Sequence, residues 1–491
     1  MRLKYLGPNL LLYFNYDKIY IKEYDFLFMV FYSDLRSKVD ALREQKLSCI
    51  ENVKYFLSNI EKNNKKYNIF LQVNDSVLEK AKILDDKIKK GEKIGTLFGL
   101  VFAIKAVISV KDMNISCSSN TLKNYKGTFD ADIVKKIEAE DGLIIGMVNS
   151  DEFACGSSGE TSSFGNTLNP FSPLRIPGGS SSGSAAAVAA DMCDIAIGTD
   201  TGGSIRNPAS HCGVCGVKPS YGLVSRYGLV DMAMSFDTIG PLSKDVYGSA
   251  LVLQSISGLS ENDATTINSK FIDYTKLKVP SKSKIGIVKS FDSLISDDRI
   301  RKAFKSRIEQ LKKLDHEIIE LDMKNIDLAI QTYYPIVYTE VFSGTRKFDG
   351  VKYGKKIEDT CNSEVLRRIL GGKEISKSEY DGAYYKKALK VKEIISAEFK
   401  KAFGKVDFIL TPVTPLLPHK FGTKLTPEQM YAYDSFTPPV NLAGNCAGVV
   451  CLDKIREEDG DISVGMQVIA DTFQEKKMFE GMLLLESLKA N

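Results

Sequence analysis

Residues 100–110 read Leu-Val-Phe-Ala-Ile-Lys-Ala-Val-Ile-Ser-Val, an apolar run that contains one charged residue, Lys105. The length and the β-branched content of this run are typical of a buried strand. Residues 130–141 have a helical pattern that Gly142 ends, and the apolar residues 143–148 predict a second strand. A strand, a helix and a strand in this order favour parallel pairing. The stretch therefore predicts an α/β fold.

The alternation of helices and strands continues on both sides of this stretch. The apolar spacing from Ser33 to about Lys62 is helical, and Ser76-Val-Leu-Glu79 predicts a capping box that opens a helix reaching Lys90. The further predicted elements are an Ala-rich helix over 184–192, strands at 195–197 and near Ile285 and Ile318, and helices over 299–313, 325–342 and 378–403. With no internal repeat and no long linker, one large α/β body is the simplest account.

The composition limits the functional classes to which the protein could belong. The chain has 491 residues, of which 43% are apolar and 26% charged, as in ordinary soluble globular proteins. The net charge of +4 is spread over many Lys and Glu residues and does not indicate the basic patch of a protein that binds nucleic acid by itself. We therefore expect any RNA to be held by a partner.

The N-terminal residues and the cysteines bear on localisation. Residues 1–28 are interpreted as an extension of unknown role, and residues 29–491 as the functional domain. No apolar run in the extension approaches the roughly 18 residues that span a bilayer, so no membrane contact is expected. Nine irregularly spaced cysteines favour a reducing compartment, the cytoplasm. Cys212-Gly-Val-Cys215 has no second pair in register and is interpreted as a buried structural pair, so no metal site is predicted.

Lys105 has two possible roles. A buried strand is a costly place for an ammonium group, so its stem could be buried while the head reaches water. Alternatively, desolvation could lower its pKa, so that the amine acts as a base near neutral pH. The residues alone leave both roles open.

A glycine- and serine-rich loop, Gly178-Gly-Ser-Ser-Ser-Gly183, is the second candidate feature. It could be a flexible linker, but it runs directly into the Ala-rich helix, which suits an anion site or a tight turn. The pattern Gly-x-Ser-x-Gly also matches a nucleophile elbow, but the elbow needs a preceding strand, and residues 170–177 with three prolines predict none. The three histidines, His211, His316 and His419, offer few candidates for a Ser-His-Asp mechanism. A serine activated by another group is favoured.

Lys105, the 178–183 loop and Asp200-Thr-Gly-Gly-Ser-Ile-Arg206 occur in the order and at the spacing of the amidase signature family, which the chain resembles densely over residues 95–246 and weakly to about Leu485. The resemblance implies an α/β fold with a central mixed sheet covered by helices on both faces. It implies that Ser204 is the nucleophile and Lys105 the base. Ser180 is the implied bridging serine, following a cis peptide bond after Gly179. The implied oxyanion hole consists of the N–H groups of Thr201, Gly202 and Gly203.

Within the family, the chain is most similar to the glutamine-hydrolysing subunits of tRNA-dependent amidotransferases. The stretches that carry this similarity are residues 151–158, 218–228, 346–350 and 380–387. Glutamine-binding positions then fall on Tyr333, Arg368 and Asp434, with Arg368 on the α-carboxylate and Asp434 on the α-ammonium group. In such complexes the released ammonia reaches a tRNA-binding kinase/transamidase subunit that uses ATP and Mg²⁺, and a small third subunit joins. The resemblance implies no cofactor in this chain and only indirect contact with Glu-tRNA(Gln) or Asp-tRNA(Asn).

Two positions depart from the family pattern. Ala106 stands where an acidic residue usually follows the lysine, and Ser182 stands where the loop usually has glycine. Loss of the acid could remove a partner that orients Lys105. Two alternatives stay open. One is a stand-alone amidase that acts on other small or fatty amides with the same triad, and the other is a catalytically degenerate scaffold subunit, which Ala106 and the N-terminal extension suggest.

Overall fold

The computed structural model describes the backbone of residues 11–15, 18–23 and 26–31, and then residues 34–268, 272–377 and 381–490. Near the N-terminus, β1 (Leu11–Asn15), β2 (Lys18–Glu23) and β3 (Phe26–Phe31) pair antiparallel in a separate small sheet. The predicted boundary at residue 28 falls inside β3. Residues 1–10, 16, 17, 24 and 25 of the predicted extension lie outside the described residues, and its role stays a prediction.

Eleven further strands form one sheet. They are β4 (Phe70–Val73), β5 (Val101–Lys105), β6 (Leu143–Val148), β7 (Ile195–Asp200), β8 (Cys215–Lys218), β9 (Thr238–Ser243), β10 (Lys284–Val288), β11 (Glu317–Leu321), β12 (Phe408–Pro412), β13 (Cys446–Glu457) and β14 (Gly460–Ala470).

Sixteen α-helices surround this sheet in the described ranges, and none of them is long and apolar enough to cross a lipid bilayer. They are α1 (Leu35–Arg43), α2 (Cys49–Tyr67), α3 (Val77–Lys89), α4 (Asp132–Ala139), α5 (Ser182–Ala189), α6 (Arg206–His211), α7 (Val246–Ile256), α8 (Phe291–Leu294), α9 (Asp298–Lys313), α10 (Ala329–Thr345), α11 (Ile357–Thr360), α12 (Ser363–Ile375), α13 (Ala383–Phe403), α14 (Pro427–Ala432), α15 (Pro438–Ala443) and α16 (Glu475–Ser487).

The sheet is mixed, in the order β11-β10-β12-β14-β13-β8-β9-β7-β5-β6-β4. β5 pairs parallel with β6 and β7, and β10 pairs parallel with β11 and β12, while the intervening pairs from β12 to β7 are antiparallel. Every residue of β5, β6, β7 and β9 is buried. Because alternate side chains of a strand point to opposite faces, both faces of the sheet are covered. The predicted α/β class and mixed sheet are confirmed.

Most predicted elements occur, with shifted ends. The strand at 143–148 is confirmed at both ends, and the strands near Ile285 and Ile318 are β10 and β11. The helical pattern over 33–62 is two helices, α1 and α2, and the pattern over 325–342 gives α10 after a short 3₁₀ turn. Residues 378–380 of the predicted helix at 378–403 lie outside the described residues. The helix after Ser76 forms, but the capping box is wrong, because the Ser76 hydroxyl donates to Asn74 instead of capping the helix.

The strand that carries Lys105 is shorter than predicted. β5 ends at Lys105, because the chain turns there and the Ile108 N–H donates to the Lys105 carbonyl at 3.0 Å. Lys105 therefore lies at the carboxyl end of a parallel strand and not in its middle. Parallel β7 ends beside it at Asp200. The carboxyl ends of parallel strands are the usual location of functional sites in open α/β sheets.

Candidate active site

The carboxyl ends of β5 and β7 bring three predicted segments together. Lys105 ends β5, the 200–206 loop follows β7, and residues 178–181 lead into α5, which packs on both strands. The peptide bond between Gly179 and Ser180 is cis, as the resemblance implies. The Asp151 carboxylate lies against Gly179 so closely that a Cβ added there would be 1.9 Å from its Oδ2 atom. Glycine is therefore required at position 179.

Lys105 is fully buried and contacts three hydroxyl groups. Its Nζ lies 2.7 Å from Ser180 Oγ, 2.8 Å from Thr199 Oγ1 and 3.1 Å from Ser181 Oγ. No carboxylate of the described chain forms an ion pair with it. Burial lowers the pKa of Lys105 to about 7, although nearby buried carboxylates act in the opposite direction. Near neutral pH a large share of the molecules therefore carries an uncharged amine at this position.

The hydrogen bonds around Lys105 are compatible with an uncharged amine that accepts a proton from Ser180. The Ser181 hydroxyl donates to the Thr199 carbonyl and accepts the Thr199 N–H, so towards Lys105 it can serve only as an acceptor. An uncharged lysine has two N–H donors and one lone pair. When Ser181 and Thr199 accept its two N–H groups, the lone pair faces Ser180. The snorkelling alternative is wrong, because the whole side chain, including the amine, is buried.

Asp200 and Arg206 form a buried ion pair that shapes the 200–206 loop. The Asp200 carboxylate accepts Arg206 Nε and Nη2, both at 2.9 Å, and the N–H groups of Gly203 and Ile205. Burial alone would raise the pKa of Asp200, but the guanidinium group of Arg206 outweighs it and holds the pKa well below its usual range. The loop is thus wound around one carboxylate, and Ser204 lies at its turn.

Ser204 faces an open cleft. Its hydroxyl has no hydrogen-bond partner among the described residues, Ser180 included, while its carbonyl accepts the Ser181 N–H at 3.1 Å. The empty space of the cleft, including open solvent at its mouth, is about 330 Å³. Its walls are formed by Ala154, Gly156, Ser157, Gly179, Gly202, Gly203, Ser204, Asn207, Met232, Tyr333, Tyr334, Arg368 and Asp434. The predicted glutamine-binding residues Tyr333, Arg368 and Asp434 therefore share one cleft with the predicted nucleophile.

The three predicted oxyanion donors differ in availability. In the described chain the backbone N–H groups of Thr201 and Gly202 have no acceptor, but that of Gly203 donates to Asp200 Oδ1 at 2.9 Å. The Gly203 amide is therefore already used inside the loop, which departs from the prediction. The N–H of Ser204, which is not among the predicted donors, also has no acceptor in the described chain.

Two charged side chains line the far side of the cleft. Arg368 donates from Nε to Glu364 Oε1 at 2.8 Å, and its Nη2 atom has no partner among the described residues. Asp434 accepts the Tyr334 hydroxyl at 2.5 Å, and burial raises the pKa of Asp434 to about 6. A positive and a negative group thus face one cavity without being paired to each other. Such a pair of charges suits a zwitterionic amino acid.

Comparison with known proteins shows the family to which this chain belongs. The amidase family model matches residues 51–479. The chain belongs to the amidase family. A glutamyl-tRNA(Gln) amidotransferase subunit of Methanobrevibacter smithii is 50% identical over 454 residues, covering 92% of this chain and 98% of that protein. Its counterpart in Methanocaldococcus jannaschii is 50% identical over 440 residues, covering 89% and 99%.

Solved amidase structures have the same fold. The corresponding glutamyl-tRNA(Gln) amidotransferase subunit from Thermotoga maritima superposes with a TM-score of 0.75 at 36% identity, covering 89% of this chain and 93% of that one. A further solved amidase gives a TM-score of 0.81 at 26% identity, covering 92% and 99%. The peptide amidase of Stenotrophomonas maltophilia, at 21% identity and a TM-score of 0.79, shares the fold.

The two departures from the amidase pattern have different consequences in the structure. Ala106 is buried in the core, and its N–H donates to the Val148 carbonyl. Since three hydroxyls already hold the Lys105 amine, no acidic residue at 106 is needed to orient it. The Ser182 hydroxyl is buried without a hydrogen-bond partner in the described chain, and nothing in the structure explains it.

The amidase site also contains residues that sequence reasoning missed. Ser181 and Thr199 hold the lysine, and Tyr334 holds Asp434. Asp237 accepts the Thr201 hydroxyl at 2.6 Å, and burial raises the pKa of Asp237 to about 7. Ser181 lies inside the 178–183 loop and Tyr334 is next to Tyr333, so the sequence contained an indication that both residues belong to the site. Thr199 and Asp237 have no such signal in the sequence.

None of the three histidines hydrogen-bonds to Ser180 or Ser204, and burial lowers the pKa of His211 to about 3. No group of His, Cys, Asp and Glu suited to a metal ion occurs among the described residues. Cys212 and Cys215 are both buried thiols, as predicted.

Proposed function

We propose that this chain is the glutaminase subunit of a tRNA-dependent amidotransferase and hydrolyses glutamine to glutamate and ammonia. The observation that carries the proposal is one cleft that joins Ser204 to two opposite charges, Arg368 and Asp434. Relatives that are 50% identical over nearly their whole length bear the name of a glutamyl-tRNA(Gln) amidotransferase subunit, which supports the same assignment.

The two charges of the cleft fit free glutamine. The Nη2 donor of Arg368, which no described residue occupies, would bind the α-carboxylate, and Asp434 would bind the α-ammonium group. Tyr333 lines the same cleft beside the 200–206 loop, where its hydroxyl approaches Gly202. The γ-carboxamide would then extend towards Ser204. A neutral aliphatic amide would use neither charge.

In the proposed reaction Lys105 is the base, Ser180 the relay and Ser204 the nucleophile. Uncharged Lys105 takes the proton of the Ser180 hydroxyl, which takes the proton of Ser204 as the Ser204 oxygen bonds to the carbonyl carbon of the γ-carboxamide of glutamine. The proton returns to the leaving nitrogen, the C–N bond breaks and ammonia departs, leaving a γ-glutamyl ester. Water then attacks the ester by the same route and releases glutamate. Because catalytic hydrogen bonds often form only with substrate bound, we expect rotation of the Ser204 side chain towards Ser180 in the complex.

The N–H groups of Thr201 and Gly202, with that of Ser204, would stabilise the oxyanion of the tetrahedral intermediate. All three lack an acceptor among the described residues. Donors held in place before the reaction need no reorganisation when the charge develops. The Thr201 hydroxyl is fixed by Asp237, which helps to hold the first of these amides.

The remaining proposals concern the complex. We propose that a tRNA-binding subunit uses the ammonia with ATP and Mg²⁺, that a small third subunit completes a heterotrimer, and that tRNA is contacted only indirectly. The chain itself would need no cofactor. All nine cysteines are free thiols, which supports a cytoplasmic, reducing environment.

The direct test measures ammonia release from glutamine and from propionamide by the purified chain, alone and with its cognate subunits. We expect turnover of glutamine, increased by the partners. Robust hydrolysis of propionamide with no response to glutamine would favour the stand-alone amidase. Inactivity on both, with the partners present, would favour a scaffold role.

Asp434→Asn should raise KM for glutamine roughly 10- to 100-fold, the usual cost of losing a hydrogen-bonded charge. The ammonium contact is the same in the ground state and the transition state, so kcat should change much less. Asparagine keeps the size of the side chain and can still accept the Tyr334 hydroxyl. Steady-state kinetics give both constants.

Asp453→Asn is the matched control, because Asp453 pairs with Arg307 outside the cleft. It should leave both constants unchanged. An unchanged glutamine KM in Asp434→Asn would remove Asp434 from the substrate site.

The pH dependence follows from Lys105. Its charged form cannot accept a proton, and burial lowers its pKa to about 7. At saturating glutamine we therefore expect kcat to rise about tenfold per pH unit below 7 and to level off above it. The Asp434→Asn variant should keep this profile, since Asp434 affects binding. A kcat that does not change through neutral pH would exclude a lysine of this pKa as the base.

A further inference from the structure

The peptide unit between Gly202 and Gly203 is held at both ends. Its carbonyl, on Gly202, accepts the Thr437 hydroxyl at 2.7 Å, and its N–H, on Gly203, donates to Asp200 at 2.9 Å. Two consecutive glycines have the greatest backbone freedom of any pair, so their conformation depends on such anchors. Asp200 anchors the loop from inside, whereas Thr437 approaches from a distant part of the chain.

Thr437 also fills the space beside the loop. Thr437 is almost completely buried. A Cβ added to Gly203 would lie 2.4 Å from the hydroxyl oxygen of Thr437 and 2.8 Å from the Cβ of Thr437. On the other side, a Cβ added to Gly202 would lie 2.4 Å from the Tyr333 hydroxyl. The two glycines are therefore packed closely, Gly202 against Tyr333 and Gly203 against Thr437.

The segment that carries Thr437 also carries Asp434. Both residues lie between α14 and α15, three positions apart. The segment is fixed from behind, because the Thr437 carbonyl accepts Arg206 Nη1 at 3.0 Å and the Phe436 carbonyl accepts Gln467 Nε2 at 3.1 Å. One short segment thus contributes a charge to the cleft and a hydroxyl to the 200–206 loop.

We propose that Thr437 is a positioning residue that fixes the Gly202–Gly203 peptide and thereby aims the N–H groups of Thr201 and Gly202 at the reacting carbonyl. It acts through Gly202 and touches no substrate. The inference rests on the proposed function, because it takes these amides to be the oxyanion donors. Through its segment it also couples the amino-acid site at Asp434 to the reacting centre.

The test compares Thr437→Val, which removes the hydroxyl at constant shape, with Thr437→Ser, which keeps it. We expect Thr437→Val to lower kcat for glutamine roughly 10- to 100-fold with little change in KM, the size of effect that a small misplacement of reacting groups produces. Thr437→Ser should restore most of kcat. Thr345→Val is the control, since the buried Thr345 hydroxyl also donates to a backbone carbonyl, that of Val341, outside the cleft.

A second readout separates this inference from the proposed substrate. The rate at which an alkyl fluorophosphonate modifies Ser204 depends on the same amides but not on glutamine. We expect this rate to fall in Thr437→Val in parallel with kcat and to recover in Thr437→Ser. If the wild-type protein shows no glutaminase activity while the phosphonylation rates differ in this way, the proposed function fails and the positioning role stands.

Two results would overturn the inference. The first is a wild-type phosphonylation rate in Thr437→Val. The second is an equal loss in the Val and Ser variants together with lowered melting temperatures, which would assign Thr437 to packing alone.

Discussion

Ser204→Ala should abolish ammonia release from glutamine, with a loss in kcat of about 10⁴-fold or more. Without the hydroxyl no bond to the carbonyl carbon of the γ-carboxamide forms, and the remaining groups can only polarise the substrate. The fold should be unaffected, because the Ser204 hydroxyl has no hydrogen-bond partner among the described residues. Ammonia release and the melting temperature, measured on the same preparation, check both parts.

Ser184→Ala serves as the matched control for this variant. Ser184 is also a buried serine of the loop-and-helix region, but its hydroxyl donates to the Ile197 carbonyl at 3.1 Å instead of facing the cleft. It should retain glutaminase activity. Hydrolysis of glutamine by Ser204→Ala at an appreciable rate would assign the nucleophile to another residue.

Lys105→Ala should lower kcat about 10³-fold or more, because the relay through Ser180 then has no group to accept its proton. Within the described chain, the only hydrogen bond of the Ser180 hydroxyl is to Lys105. Lys105→Met tests the same point while keeping most of the buried stem, so that any loss of packing is smaller. The measurement is kcat for glutamine above neutral pH, where the wild-type amine is uncharged.

Lys136→Met is the control for the lysine variants. Lys136 is half-buried and donates to the carbonyls of Ile256 and Ser257 away from the cleft. It should keep wild-type kcat. Partial recovery of Lys105→Ala by added methylamine would support a missing base, whereas a mild effect of both Lys105 variants would show that a different base operates.

The elements that the sequence predicted well are those in which a local pattern and burial agree. The strand 143–148 is a continuous apolar run between a glycine and polar residues, and its ends are those observed. The run at 100–110 is equally apolar but is not all strand, because a turn closed by Lys105 and Ile108 follows. Apolarity reports burial, and a buried turn looks the same as a buried strand in the sequence. The pairing of distant strands, such as β8 with β13, leaves no local signal at all.

In the candidate site, too, the sequence predicts local features but not long-range contacts. Lys105 and Lys218 are both buried lysines, and burial lowers the pKa of each, to about 7 and about 8. The sequence does not distinguish them by burial. The structure does, since Lys218 donates to the carbonyl of its neighbour Pro219 whereas Lys105 meets three hydroxyls. Long-range partners such as Thr199 and Thr437 are set by the sheet and by the packing of separate segments, which no motif spacing encodes.

Because Lys105 has no ion pair among the described residues, its protonation state depends on the exclusion of water. Burial is the main reason that the pKa of the amine is lowered. The neighbouring hydroxyls, unlike carboxylates, carry no negative charge that would stabilise the protonated form. Water admitted beside the amine would raise its pKa towards the usual value of lysine and reduce the uncharged fraction near neutral pH, even with every reacting atom in place. Burial of the Lys105 amine is therefore itself a requirement of the proposed mechanism.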